Sequence, residues 1–214
     1  MMVIMAFLDL DRLRESPLQR EPFEFVVVDD FLKGSELPAL VEAFPQLTGH
    51  GSYPLAVVTP CSLFERLTAE LEGDAMRRAI EDKFAVDLDG RPTMITLRGY
   101  SDGKDGGIHT DSTTKIITVL IYMNSEWHEA AGRLRLLRGP DNLADYVAEI
   151  SPLAGTMVAF RRSAASFHGH QAHVGPRRSI QLNWVTDSRV VRREISRHRW
   201  TARLKALNPL RRFR

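Results

Sequence analysis

The chain has 214 residues, 43% of them hydrophobic, with a single cysteine, Cys61, and a formal charge of +2. That length supports one well-buried core, a lone cysteine excludes an internal disulfide framework and points to a reducing compartment, and no run approaches the roughly eighteen apolar residues of a membrane span. The charge is uneven: residues 189–214 hold ten of the 29 Lys/Arg but one of the 27 acids, which leaves an acidic body of 19 cations against 26 carboxylates and a basic tail.

The start, MMVIMAFLDLDRLRE, has a brief apolar run without a basic flank or a small-residue cleavage site, so a cytoplasmic protein is expected. Residues 23–28 form a short β-branched run. Ser35 then precedes Leu37, Leu40, Val41 and Phe44 at helical spacing, so a strand followed by a helix is predicted. Ser62 and Glu65 read as a capping box for a helix carrying Leu63, Phe64, Leu67 and Leu71. Gly73-Asp74 interrupts, and Ala75, Met76, Ala79, Ile80 and Phe84 continue the pattern. These helices should pack outside whatever follows.

From Thr93 the pattern becomes short strands separated by turn formers: residues 94–97, 116–122, 133–137, 156–160 and 179–185. Such spacing predicts a mostly β fold with supporting α-helices, a sandwich or jelly roll of the cupin-like kind. The expected division is one domain over residues 1–188, with a core at 93–186 and helical support at 20–85, followed by the tail at 189–214.

Chemistry concentrates at His109-Thr110-Asp111, where residues two apart share one face of an extended segment. Two imidazoles and one carboxylate are the ligand set of a mononuclear non-haem iron site with open positions, so a second histidine is needed. Residues 167–173 offer His168, His170 and His173. Spacing alone does not choose between His168 and His170, and His168 is favoured as the first after the strand ending at Phe160. In residues 179–185, Ile180, Leu182 and Trp184 alternate with Ser179, Gln181 and Asn183. Arg178 extends the apolar face and Arg177 the polar one. Taking the apolar face as the interior makes Arg178 a buried cation in need of a carboxylate. Tyr122, at the tip of an apolar strand, is placed to donate to the same carboxylate.

In order, Arg98-Gly-Tyr100, His109-Thr-Asp111, Ile117-Thr-Val-Leu-Ile-Tyr-Met-Asn124 with Trp127, Gly132-Arg-Leu134, Gly155-Thr-Met-Val-Ala-Phe160, His168 and Arg178 resemble the prolyl 4-hydroxylase-like branch of the 2-oxoglutarate/Fe(II)-dependent dioxygenases. The resemblance covers residues 93–186. It implies a double-stranded β-helix, with His109, Asp111 and His168 as iron ligands, and supports His168 over His170. It implies that Arg178, helped by Tyr122, holds the distal carboxylate of 2-oxoglutarate, with Tyr100 lining the same pocket. Fe(II), 2-oxoglutarate and O2 are the implied cofactors, and hydroxylation with release of succinate and CO2 the implied reaction. One departure is Ala131-Gly132, where the family usually has two glycines.

Two competing readings are a cupin-like module that binds metal without turnover and a nucleic-acid dealkylating oxygenase. The full ligand set with Arg178 argues against the first. Trp184 argues against the second, because dealkylating relatives carry another arginine there, six residues after the first. The substrate, whether small molecule, saccharide or peptidyl group, is not named by the sequence. Ile195, Trp200, Leu204 and Leu207 give the tail an apolar helical stripe among arginines, so it either contacts an anionic inner membrane surface or packs on its own acidic body.

Overall fold

A computed structural model describes residues 6–47, 49–193 and 196. The chain opens with helix α1 (Leu10–Glu15), strand β1 (Phe25–Val28), helix α2 (Leu37–Glu42), the short strand β2 (Tyr53–Pro54) and helices α3 (Ser62–Leu71) and α4 (Asp74–Phe84). Strands follow: β3 (Thr93–Ser101), β4 (Lys115–Tyr122), β5 (Leu134–Leu137), β6 (Tyr146–Ile150), β7 (Met157–Arg161), β8 (His168–Gly169) and β9 (Gly175–Val185). Among the described residues they form a six-stranded sheet in the order β1-β7-β4-β9-β3-β2 and a three-stranded sheet β6-β5-β8. The ladders are antiparallel, and the two sheets make the jelly roll of a double-stranded β-helix.

Each face of the large sheet has its own partner. Ile117, Val119 and Ile121 of β4 and Ile180, Leu182 and Trp184 of β9 join one core with Phe64 and Leu67 of α3 and Met76, Ile80 and Phe84 of α4. The alternate residues turn toward the small sheet, where Tyr122, Val158 and Phe160 meet Leu134, Leu136 and Ile150. The apolar face of β4 and β9 is thus the outer, helix-covered one, and the more polar face lines the barrel. Replacing the fully buried Leu182 by alanine should cost about 2–5 kcal/mol, measurable as a lower urea midpoint. A loss under about 1 kcal/mol would mean that the helices do not seal this face.

Local signals were partly displaced. Ser62 is the first helical residue of α3 rather than its cap; Cys61 takes that position without a side-chain hydrogen bond. Strand β6 falls inside a segment that reads as loop, because Tyr146, Val147 and Ala148 lie on a partly exposed edge with no apolar alternation. Helix α1 is only six residues long and is held by Asp9, whose carboxylate accepts from the Arg12 backbone N–H. The tail positions Ile195, Trp200, Leu204 and Leu207 lie outside the described residues. Among the described residues, no helix is long and apolar enough to cross a membrane.

Candidate metal centre and its cavity

His109 lies on the segment between β3 and β4, and His168 begins β8. The two backbones exchange both hydrogen bonds of an antiparallel bridge: His109 N–H donates to the His168 carbonyl at 3.0 Å, and His168 N–H to the His109 carbonyl at 2.9 Å. That pairing sets the rings side by side, with centroids 4.4 Å apart. Each Nδ1–H donates to a nearby carbonyl, His109 to Gly107 at 2.8 Å and His168 to Ser166 at 3.0 Å, so both Nε2 lone pairs remain free as ligands. Asp111 supplies a carboxylate, and one donor atom from each of the three residues lies within 4.8 Å of the others. Two imidazoles and a carboxylate on one face fit a ferrous ion with open positions. The spacing of His168 and His170 left the choice between them open. Both line the cavity, but the bridge brings His168, not His170, to His109 and Asp111.

Asp111 is held on both oxygens. Lys115 Nζ donates to Oδ1 at 2.8 Å and Thr118 Oγ1 to Oδ2 at 2.5 Å. Thr118 Oγ1 also lies 3.0 Å from the Asn183 amide oxygen, which accepts from Gln181 Nε2 at 3.1 Å. A chain Asn183 to Thr118 to Asp111 therefore fixes the carboxylate from β9 through β4. Burial favours the protonated acid, but Lys115, His168 and Thr118 outweigh it and hold Asp111 below the usual carboxylate range.

Burial pushes His168 down to about 4, with Asp111 opposing and His109 reinforcing the shift, and burial with the charge of Arg177 pushes His170 down to about 4 as well. Both histidines stay neutral when folded, whereas the unfolded chain takes up protons near pH 6.5. The unfolded state then binds more protons between about pH 6.5 and 4, so metal-free protein loses stability as pH falls through that window, by at most about 1.4 kcal/mol per pH unit for each histidine. Urea midpoints at pH 7 and pH 5 test this; an equal or higher midpoint at pH 5 contradicts it.

The cavity at this centre has a volume of about 380 Å³. At its β9 wall the structure corrects the expectation for Arg178. Arg177 lines the cavity, whereas Arg178 points to the opposite face, near the Phe44 ring at 6.0 Å. The alternation was sound; the apolar face faces the helices, and the polar face of Ser179, Gln181 and Asn183 carries Arg177 inward. Arg177 is 5% exposed, its Nε donates to the Gly132 carbonyl at 2.7 Å, and its guanidinium lies 5.4 Å from the Tyr122 ring centroid. An Arg177 nitrogen also lies 3.5 Å from the Tyr122 hydroxyl, so Tyr122 lines the cavity beside Arg177 rather than Arg178. Among the described residues no carboxylate comes within ion-pair distance of Arg177, a costly state for a buried cation unless a ligand supplies one.

Tyr100 departs from expectation too. It is not among the cavity-lining residues; β3 contributes Thr96 and Arg98, and its register with β9 breaks between Arg98 and Tyr100. Other contributors were not legible as such: Lys115 on Asp111, Asn183 on Thr118, and Gly169. A Cβ at Gly169 would lie 2.8 Å from the Gly106 carbonyl, so the loop before His109 closes on β8 only over a glycine. The glycine between His168 and His170 was the available signal.

Residues 95–186 match the family model described as the 2OG-Fe(II) oxygenase superfamily. Among solved structures, the fold is similar to a Pseudomonas putida prolyl-4-hydroxylase, with 20% identity, a TM-score of 0.53, and coverage of 83% of this chain and 92% of that one. It is also similar to a viral collagen prolyl hydroxylase from Paramecium Bursaria Chlorella virus-1, with 13% identity, a TM-score of 0.53, and coverage of 76% and 96%. A 2OG-Fe(II) oxygenase family oxidoreductase from Burkholderia pseudomallei gives 14% identity, a TM-score of 0.52, and coverage of 75% and 84%. Comparison with curated proteins gave no match.

Proposed function

From the premise that this chain belongs to the 2OG-Fe(II) oxygenase superfamily through residues 95–186, we propose that it is a hydroxylase that couples decarboxylation of 2-oxoglutarate, to succinate and CO2, with oxygenation of a second substrate. One observation carries the reading: a His-Asp-His donor set and a buried arginine without a carboxylate line the same cavity. Fe(II), when bound, supplies the site at which the 2-oxo acid and O2 react.

The chain's own residues divide the remaining work. His109, Asp111 and His168 hold the metal from one side. Lys115 and Thr118 orient Asp111 and keep it ionised. Arg177 and Tyr122 receive the distal carboxylate of 2-oxoglutarate, the role that the sequence alone assigns to Arg178. The β-bridge between the two histidines fixes their rings before any ligand arrives, a preorganisation that a flexible loop would not give.

The test is O2 uptake and succinate release by protein loaded with Fe(II) in the absence of air and then given 2-oxoglutarate. Slow succinate formation that needs both additions and stops on chelation is the expected result. Tight 2-oxoglutarate binding without O2 uptake would instead identify a binding module.

A further inference from the structure

We infer that the second substrate of this site is a small anionic molecule, carrying a carboxylate, phosphate or sulfate group, and that Arg98 and Lys104 receive that group. The inference rests on the reading of the cavity as a 2-oxoglutarate and Fe(II) site, and its first support is charge. The cavity lining holds four permanent cations, Arg98, Lys104, Lys115 and Arg177, against two carboxylates, Asp105 and Asp111. Ferrous iron and doubly charged 2-oxoglutarate cancel one another, so a filled site keeps a surplus of two positive charges. In a walled cleft such a surplus concentrates anions and disfavours neutral or cationic ligands.

The cations are not equally committed. Lys115 is held by Asp111 at 2.8 Å, and Arg177 sits against Tyr122 and the Gly132 carbonyl. Arg98 is held loosely, 3.3 Å from Asp105 Oδ1 and 3.4 Å from Ser52 Oγ, and most of its five donors are uncommitted. Lys104 lies on the exposed loop between β3 and His109, with no ion pair among the described residues. These two are therefore the cations with capacity to spare.

The size and polarity of the cavity agree. About 380 Å³ is near the lower end for a ligand site, and 2-oxoglutarate must share it. Apart from Tyr122, the apolar side chains lining it are Leu120 and Leu134, so there is little surface to recognise an apolar group. A compact, charged molecule fits these walls better than an uncharged peptide segment.

The experiment uses the 214-residue chain loaded with Mn(II) and 2-oxoglutarate without O2, which blocks turnover. 2-Oxoglutarate affinity is measured first by calorimetry; its failure to bind would sink the oxygenase reading itself. Acetate, sulfate and uncharged acetamide are then titrated into the loaded protein, acetate standing for carboxylates and sulfate for phosphate or sulfate groups. Saturable binding of at least one anion, weaker by about tenfold in Arg98→Gln and weaker in Lys104→Gln, is expected, with acetamide silent. The preferred anion identifies which group the substrate carries. No saturable anion binding, or acetamide binding as well as acetate, would overturn the inference. So would an Arg98→Gln variant that loses 2-oxoglutarate affinity as severely as anion affinity, because Arg98 would then belong to the co-substrate.

Discussion

Alanine at His109 or Asp111 removes ferrous binding and, with it, 2-oxoglutarate turnover, by at least about a hundredfold. Loss of a ligand exceeds the roughly 10- to 100-fold cost of losing a group that merely orients one. Thr118→Val gives the lesser effect: Asp111 keeps its charge and its contact with Lys115 but loses the hydroxyl at 2.5 Å, and metal affinity falls by about tenfold. Calorimetric titration of Fe(II) or Mn(II), beside succinate release, separates the two classes. His170→Ala is the informative control, since His170 lines the cavity without joining the donor set. If His170→Ala removes the metal and His168→Ala does not, the assignment of the third ligand fails.

Arg177→Ala raises the 2-oxoglutarate KM by roughly 10- to 150-fold, the equivalent of one charge-assisted hydrogen bond of about 1.5–3 kcal/mol, while Arg178→Ala leaves it within about twofold. The difference arises from one step along a strand. Arg177 is buried beside Tyr122, and Arg178 is on the helix-side face near Phe44. Arg177→Lys recovers only part of the loss, because an ammonium lacks the planar fork that meets a carboxylate and keeps Nε on the Gly132 carbonyl. Steady-state kinetics with 2-oxoglutarate varied at saturating Fe(II) decides the matter. A raised KM in Arg178→Ala with Arg177→Ala unaffected would reverse the assignment.

The β-rich core and its supporting helices were legible because they obey simple periods. Ile117, Val119 and Ile121 alternate, as do Ile180, Leu182 and Trp184, and both sets lie where alternation puts them, on one face. Which face is the interior was not legible. A sheet covered by helices on one side and enclosing a polar cavity on the other carries its apolar stripe outward, and nothing in residues 175–185 alone distinguishes that from a sandwich core. Hence the alternation points to Arg178, whereas Arg177 is the arginine that lines the cavity. The His-x-Asp pair could be read because an extended segment fixes which side chains share a face. Lys115 and Thr118 reach Asp111 from β4 itself, whereas Asn183 joins them, through Thr118, only by the pairing of β4 with β9, a long-range register that sequence spacing does not encode. Tyr100 was lost to a break in register, which also leaves no local signature.

Because helix packing falls on one side of β4 and β9 and ligand contact on the other, the two demands on each strand are written in alternate residues. Changes at Thr96, Ser179 or Gln181 reshape what the cavity accepts without touching Ile180 or Leu182, on which folding depends. A lineage carrying this barrel can therefore explore new substrates by single steps while its stability stays nearly constant. Charge is the quantity most easily altered in this way: replacing Arg98 or Lys104 by a neutral residue changes the net charge of the cavity lining by one and leaves the core untouched.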